Sequence, residues 1–212
     1  MERAAALDLL ADRVAALPRP ALVAIDGVDG VGKTVLADDL AAVLGQRGER
    51  IVRTGIDGFH RPRAQRYARG RTSPEGYFFD SFDLAAFRRC VIEPVRSGGQ
   101  VRTAAFDHRS DAPVPGELVD VVGAIVLVDG VFLQRDELHG AWDLAVFLRA
   151  DFVATYARMS VRDGSPADPE DPANRRYLEG QRLYLNRCRP QERADVVLDV
   201  TDVSAPVVVS GL

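Results

Sequence analysis

Eight residues, Gly27-Val28-Asp29-Gly30-Val31-Gly32-Lys33-Thr34, fit the spacing G-x-x-x-x-G-K-[ST] of a phosphate-binding loop, the P-loop. Its glycines let backbone N–H groups turn inward around phosphate oxygens, where larger side chains would clash. Lys33 would reach the β- and γ-phosphates of ATP, and the Thr34 hydroxyl would ligate Mg²⁺. Val35 continues into a helical pattern, so the positive end of a helix dipole faces the anion. A glycine-rich strand–helix turn that binds nothing is the bland alternative. The match at every motif position argues against it.

Three acids fall where apolar runs end: Asp26, Asp57 and Asp129. In open parallel sheets, ligands bind beyond the C-terminal ends of the strands. Asp57 opens Asp57-Gly58-Phe59-His60-Arg61-Pro62-Arg63. A carboxylate there could accept the proton of an attacking hydroxyl beside the γ-phosphate. The alternative is a turn cap, since Asp-Gly favours turns. Asp129 ends the run 125–128, a Walker-B-like pattern that holds Mg²⁺ directly or through water.

These groups need a frame. Apolar runs alternate with helical patterns, which predicts an α/β P-loop NTPase fold of three layers. Its mostly parallel central sheet is flanked by helices and carries a small helical lid. Strands are expected near 21–25, 50–56, 101–105, 124–128, 144–148 and 195–200, and helices near 33–46, 84–97, 151–162 and 173–187. The 212 residues suit one domain. Leu7, Leu10, Val14 and Leu17 make one stripe of an N-terminal helix over 1–17. Two irregular stretches break the rhythm: an acceptor-loop insertion over about 57–82, and the Pro/Gly-rich tip of a lid over about 151–172.

Charge is nearly balanced, 27 basic against 31 acidic residues for a net of −4, which argues against a nucleic-acid partner. Arginine is dense only locally, at Arg61, Arg63, Arg66, Arg69 and Arg71, which reads as a solvated loop or as a clamp for an anionic acceptor. The two cysteines, Cys90 and Cys188, lack the spacing of a metal or redox pair and fit a reducing compartment. The N-terminus lacks the pattern of a signal peptide, and no run is apolar and long enough for a membrane. The expectation is a cytoplasmic protein with a small-molecule partner and no membrane partner; homo-oligomerisation is left open.

The chain resembles the uridine kinase / phosphoribulokinase / pantothenate kinase group of P-loop kinases, and within it bacterial uridine kinase-like proteins. The matching pieces are the P-loop, Asp57-Gly58-Phe59-His60, Ser73-Pro74-Glu75-Gly76-Tyr77, Asp80-Ser81-Phe82-Asp83, Phe106-Asp107-His108-Arg109, Asp129-Gly130-Val131-Phe132, Arg158 to Asp163, and Tyr177 to Tyr184. The resemblance implies that Asp57 is the general base and that Phe82 and Asp83 help hold the acceptor. It also implies that Phe106 and His108 cover the acceptor's base or sugar, and that Arg162 contacts ATP phosphates. Arg158, four residues earlier on the same helical face, joins it. The chain departs from uridine kinases in carrying Asp129-Gly130 where they carry Glu-Gly, in the spacing of its lid arginines, and in a shorter polar stretch near Phe106.

Two pictures of the acceptor stay open. Phe59, Tyr77, Phe82 and Phe106 with Asp83, His108 and Arg109 would make an aromatic pocket with polar ends, suited to a pyrimidine nucleoside phosphorylated at its 5′-hydroxyl. Arg61, Arg63 and Arg109 would instead clamp a carboxylated or phosphorylated acceptor. His60, from the Asp57-Gly58-Phe59-His60 match, is also expected to bind the substrate. Pantothenate, nicotinamide riboside or a sugar are further acceptors. A nucleotide-binding ATPase or switch module is the reading from another class.

Overall fold

The computed structural model describes residues 2–212. Helix α1 (Arg3–Ala15) leads into β1 (Ala21–Gly27), α2 (Lys33–Gln46) and β2 (Arg50–Gly55). Short helices follow: α3 (Arg63–Arg66), α4 (Pro74–Asp80), α5 (Leu84–Phe87) and α6 (Glu93–Ser97), the last two joined by a π turn over Arg88–Ile92. Next come β3 (Gln100–Arg102), β4 (Phe106–Asp107), β5 (Ala112–Pro113), β6 (Leu118–Asp120), β7 (Ala124–Gly130) and β8 (Leu144–Arg149). Helices α7 (Phe152–Asp163), α8 (Arg175–Cys188) and α9 (Pro190–Arg193) precede β9 (Val196–Asp199) and β10 (Val207–Ser210).

The central sheet runs β10-β9-β8-β1-β7-β2. All its pairings are parallel except that of the edge strand β10. Strand β1 is buried along its whole length because helices cover both faces of the sheet, which is why its sequence is a continuous apolar run rather than an alternation. Register aligns the functional ends: Asp129 on β7 sits opposite Ile25 of β1 and Gly55 of β2. The segments that leave β1, β2 and β7 therefore emerge side by side at one edge.

Two cores flank the sheet. Phe59, Phe78, Phe82, Phe87 and Phe132 fill the face beneath α4, α5 and α8. Leu10, Val14, Leu36, Leu40 and Leu44 fill the face beneath α1 and α2. Full burial of each such side chain is worth about 1.5–3 kcal/mol. Helix α1 is further tied to α2 through Arg47, which reaches Asp12 at 2.6 Å and Asp8 at 3.0 Å.

Three expectations need correction. The run at 101–105 yields β3, but β3 pairs antiparallel with β6 in a separate two-stranded ribbon and not with the central sheet. A short apolar run satisfies either kind of pairing, and periodicity cannot choose between them. The helix expected over 84–97 is interrupted by the π turn. The N-terminal helix ends at Ala15, short of the expected 17. Both cysteines are free thiols. Among the described residues no helix is long and apolar enough to cross a membrane.

Candidate active site

The P-loop leaves β1 and closes into α2. Gly30 has φ +71°, and a Cβ there would lie 2.5 Å from the Thr155 carbonyl oxygen, so α7 rests directly on the loop. Gly32 is the N-cap of α2 in the left-handed region, at φ +101°. No side chain caps this helix, so its first N–H groups are left for another acceptor, and a phosphate oxygen fits that role. Lys33 Nζ donates to the Val28 carbonyl at 2.8 Å and stays poised over the loop.

The Thr34 hydroxyl donates to Asp129 Oδ2 at 2.7 Å. The other Asp129 oxygen faces Arg53 Nη1 at 3.1 Å. Two hard oxygen donors thus converge at the mouth of the loop, a donor set that suits Mg²⁺. Among the described residues no group of three or more His, Cys, Asp or Glu could hold a metal. The ion would therefore take most of its shell from phosphates and water, the habit of nucleotide-bound Mg²⁺.

Asp29 is braced from α8 and α4. Its N–H donates to Gln181 Oε1 at 2.7 Å, while its Oδ2 accepts from the Tyr77 hydroxyl at 2.8 Å and from Gln181 Nε2 at 3.2 Å. Burial raises its pKa, opposed first by the nearby Lys33 charge. Burial, with Asp29 alongside, likewise holds the Tyr77 phenol well above its ordinary value, so it remains a donor.

Asp57 lies in the turn Ile56–Gly58 that follows β2. It lines a cavity of about 700 Å³ together with Asp29, Lys33, Thr34, His60, Arg63, Tyr77, Phe82, His108, Asp129 and Arg162. Among the described residues its carboxylate accepts no hydrogen bond, so both oxygens are available to a substrate. His60 Nδ1 meets the Asp57 backbone carbonyl at 2.9 Å, which assigns that nitrogen the proton in the neutral ring. Burial lowers the His60 pKa. Its ring lies 4.7 Å from His108 and 4.5 Å from Phe82.

Four of the expected acceptor residues stand elsewhere. Phe59 is fully buried in the core against Phe87, and Phe106 is buried beside it through a backbone bridge. Asp83 caps α5 by accepting from the Ala86 N–H at 2.9 Å. Arg109 is outside the cavity wall, its N–H bound to Asp107 at 3.0 Å. The wall draws instead on Tyr67, Arg66, Asn174, Arg176 and Tyr177. The arginine-rich loop is only partly solvated. Arg66 is buried and donates to the Arg61 carbonyl at 2.8 Å, and Arg69 pairs with Asp80 at 2.7 Å. Arg63 lines the cavity, and among the described residues its guanidinium makes no hydrogen bond, although its charge acts on Asp111.

The lid arginines divide. Arg162, at the end of α7, is exposed and pairs with Asp163 at 2.7 Å. A Ser165 hydrogen bond and then Arg162 hold the Asp163 carboxyl down to about 2. Arg158 instead turns to the far side, donating to the Val200 and Thr201 carbonyls at 2.9 and 2.7 Å. There it lines a second cavity of about 610 Å³ with Val35, Leu36, Leu198, Val200 and Pro206. The two cavities share Gly30, Lys33, Thr34, Met159 and Arg162. The lid loop is held by Asn174, whose Nδ2 reaches the Pro166 and Asp168 carbonyls at 2.9 and 2.8 Å.

Asp26, the third strand-end acid, is structural. It is fully buried, accepts from Gly27 N at 2.7 Å and Gln134 N at 3.1 Å, and receives the Tyr184 hydroxyl. Burial raises its pKa to about 6. Gln181 carried a sequence signal that passed unused: it is an uncharged polar residue on the apolar stripe Leu178, Gln181, Tyr184, Cys188 of α8.

No family model matches the chain. Its fold is that of P-loop kinases. A possible uridine kinase from Bacillus stearothermophilus superposes with a TM-score of 0.73 at 24% identity, over 93% of this chain and 99% of that one. A candidate fructose transport system kinase from a Silicibacter species gives 0.65 at 27% identity, over 84% and 94%. Phosphoribulokinase from Rhodobacter spheroides gives 0.60 at 16% identity, over 86% and 71%.

Proposed function

We propose that this chain is an ATP-dependent small-molecule kinase that moves the γ-phosphoryl group to an acceptor hydroxyl. One observation carries the reading: two cavities meet at the P-loop and share Gly30, Lys33, Thr34, Met159 and Arg162. A nucleotide whose base and ribose occupy the apolar cavity lays its phosphates across the loop and points the γ-phosphate into the polar one. The fold-level likeness to kinases of different acceptors supports the class of reaction and not the acceptor.

The residues then divide the work. Backbone N–H groups at the start of α2 bind phosphate oxygens, and Lys33 exchanges its Val28 contact for the β/γ-phosphates. Thr34 and Asp129 would hold Mg²⁺, which neutralises charge on the phosphates when bound. Asp57 orients the acceptor hydroxyl and takes its proton. Arg162 swings from Asp163 to meet charge on the transferring group. Gln181 and Tyr77 hold Asp29 and the loop in place throughout.

The acceptor class we put first is a pyrimidine nucleoside, phosphorylated at the 5′-hydroxyl by a cytoplasmic enzyme. Tyr77, Phe82, Tyr177 and the paired rings of His60 and His108 support it, since flat rings beside hydrogen-bonding groups suit a heterocycle on a ribose. An anionic acceptor is favoured by the Arg63 guanidinium in the wall of the same cavity. Purified protein with ATP and Mg²⁺, tested against nucleosides and against carboxylated or phosphorylated sugars, decides between them. ADP release that requires an added hydroxyl compound supports the kinase. Release indifferent to every acceptor would favour the ATPase or switch reading.

A further inference from the structure

We propose that the first turn of α1 is a working wall of the nucleotide site, with Arg3 and Leu7 closing the apolar cavity around the nucleobase of the phosphate donor. The inference rests on the nucleotide reading above. Arg3, Ala6 and Leu7 line the cavity together with Leu198 and Val200, and Lys33 and Thr34 belong to the same wall.

Arg3 ties three segments together at the cavity mouth. Its Nη2 reaches Asp39 on α2 at 2.6 Å, and its Nη1 reaches the Val203 carbonyl, in the turn between β9 and β10, at 3.4 Å. That same turn supplies Val203, Ser204 and Pro206 to the wall. A base entering the cavity therefore touches α1, α2 and the turn at once, and Arg3 fixes their spacing. A half-exposed ion pair adds little to stability, typically below about 1 kcal/mol, so folding alone gives Arg3 weak work to do.

Helix α1 keeps strong anchors without Arg3. Its anchors lie further along: Leu10, Ala11 and Val14 are fully buried, and Asp8 and Asp12 pair with Arg47. Arg3, Ala6 and Leu7 precede those anchors and border the cavity. A predominantly apolar wall with a few polar groups at the rim suits a flat heterocycle, whose faces need contact and whose edge needs few partners.

Two ligands separate the base from the phosphates. ATP engages both cavity and loop, whereas inorganic tripolyphosphate engages the loop alone. In calorimetric titrations with Mg²⁺, wild-type protein should bind both. Leu7→Trp, which fills the cavity from its wall, should weaken ATP at least about tenfold while tripolyphosphate changes less than about twofold. Arg3→Ala, which leaves every α1 anchor in place, should weaken ATP by about threefold to tenfold with tripolyphosphate again unchanged. It carries the test if Leu7→Trp fails to fold. ATP binding untouched in both variants, or ATP and tripolyphosphate lost together in a folded variant, would overturn the proposal and leave the kinase reading standing. Wild-type protein that binds neither ligand would overturn both.

Discussion

The Thr34 hydroxyl and the Asp129 carboxylate meet at 2.7 Å, joining the first turn of α2 to the end of β7. Each oxygen comes from a separate element, and only the sheet register brings them together, since Asp129 sits opposite Ile25 one strand over. The pair is an oxygen cradle at the edge of a phosphate site. Arg53 steadies its far side and is itself held by Asp38 at 2.9 Å.

Asp129→Asn keeps the shape of that cradle and removes its charge. Arg53 retains Asp38, so the fold should hold. The Mg²⁺ concentration for half-maximal ADP release should rise about 10–100-fold, the usual cost of disturbing a metal's supporting groups. A magnesium titration of wild-type and variant protein checks it. Identical titration curves would take Asp129 out of the metal position.

Asp57→Asn removes the base while keeping its size. General base catalysis is worth about 10²–10⁴-fold, so kcat should fall within that range while ATP affinity holds. Steady-state kinetics with a working acceptor give the answer. A variant whose acceptor KM rises at unchanged kcat would make Asp57 a binding residue instead.

Arg162→Ala should slow transfer more than it weakens ATP. The side chain is exposed, borders both cavities and, among the described residues, is tethered by its ion pair with the adjacent Asp163, so it can follow developing charge. Comparing the fall in kcat with the change in ATP dissociation constant separates the cases. Equal losses would mark a uniform ground-state contact.

Asp26 gives a pH signature in stability rather than in catalysis. Its folded pKa is raised to about 6, above the ordinary 3.8. Its contribution is therefore fully present below about 3.8 and is lost as pH rises through about 6. Asp26→Asn stays neutral throughout. The stability difference between variant and wild type should move in the variant's favour by about 2 kcal/mol from pH 4 to pH 7, at 1.36 kcal/mol per pKa unit. Urea unfolding at several pH values measures it. A difference that stays flat would mean that Asp26 titrates normally in the folded protein.

Much of the phosphate site was legible because it is local. The P-loop spacing, the helix over 33–46 and the strand-end acids all lie within short windows of sequence, and the structure places them at one sheet edge. The acceptor wall was not legible in the same way. Phe59 and Phe106 follow predicted strands, yet the turn Ile56–Gly58 sends Phe59 into the core, and a backbone bridge to Phe59 takes Phe106 with it. Sequence spacing does not fix side-chain direction beyond the end of a regular element. Tyr177 and Asn174 reach the cavity from α8 and its approach, through tertiary packing that no local pattern encodes. Arg158 shares a helical face with Arg162, but carbonyls at Val200 and Thr201 draw it to the other cavity.

The central claim is that the P-loop drives phosphoryl transfer to an acceptor, and Lys33 tests it most directly. Among the described residues its side chain hydrogen-bonds the Val28 carbonyl and lines both cavities, so Lys33→Ala should fold as the wild type does. The measurement is transfer of labelled γ-phosphate from ATP to an added hydroxyl acceptor, for wild-type and Lys33→Ala protein of matched thermal stability. The account predicts a phosphorylated product with the wild type and loss of that product with the variant. Transfer at the same rate by both proteins would contradict it.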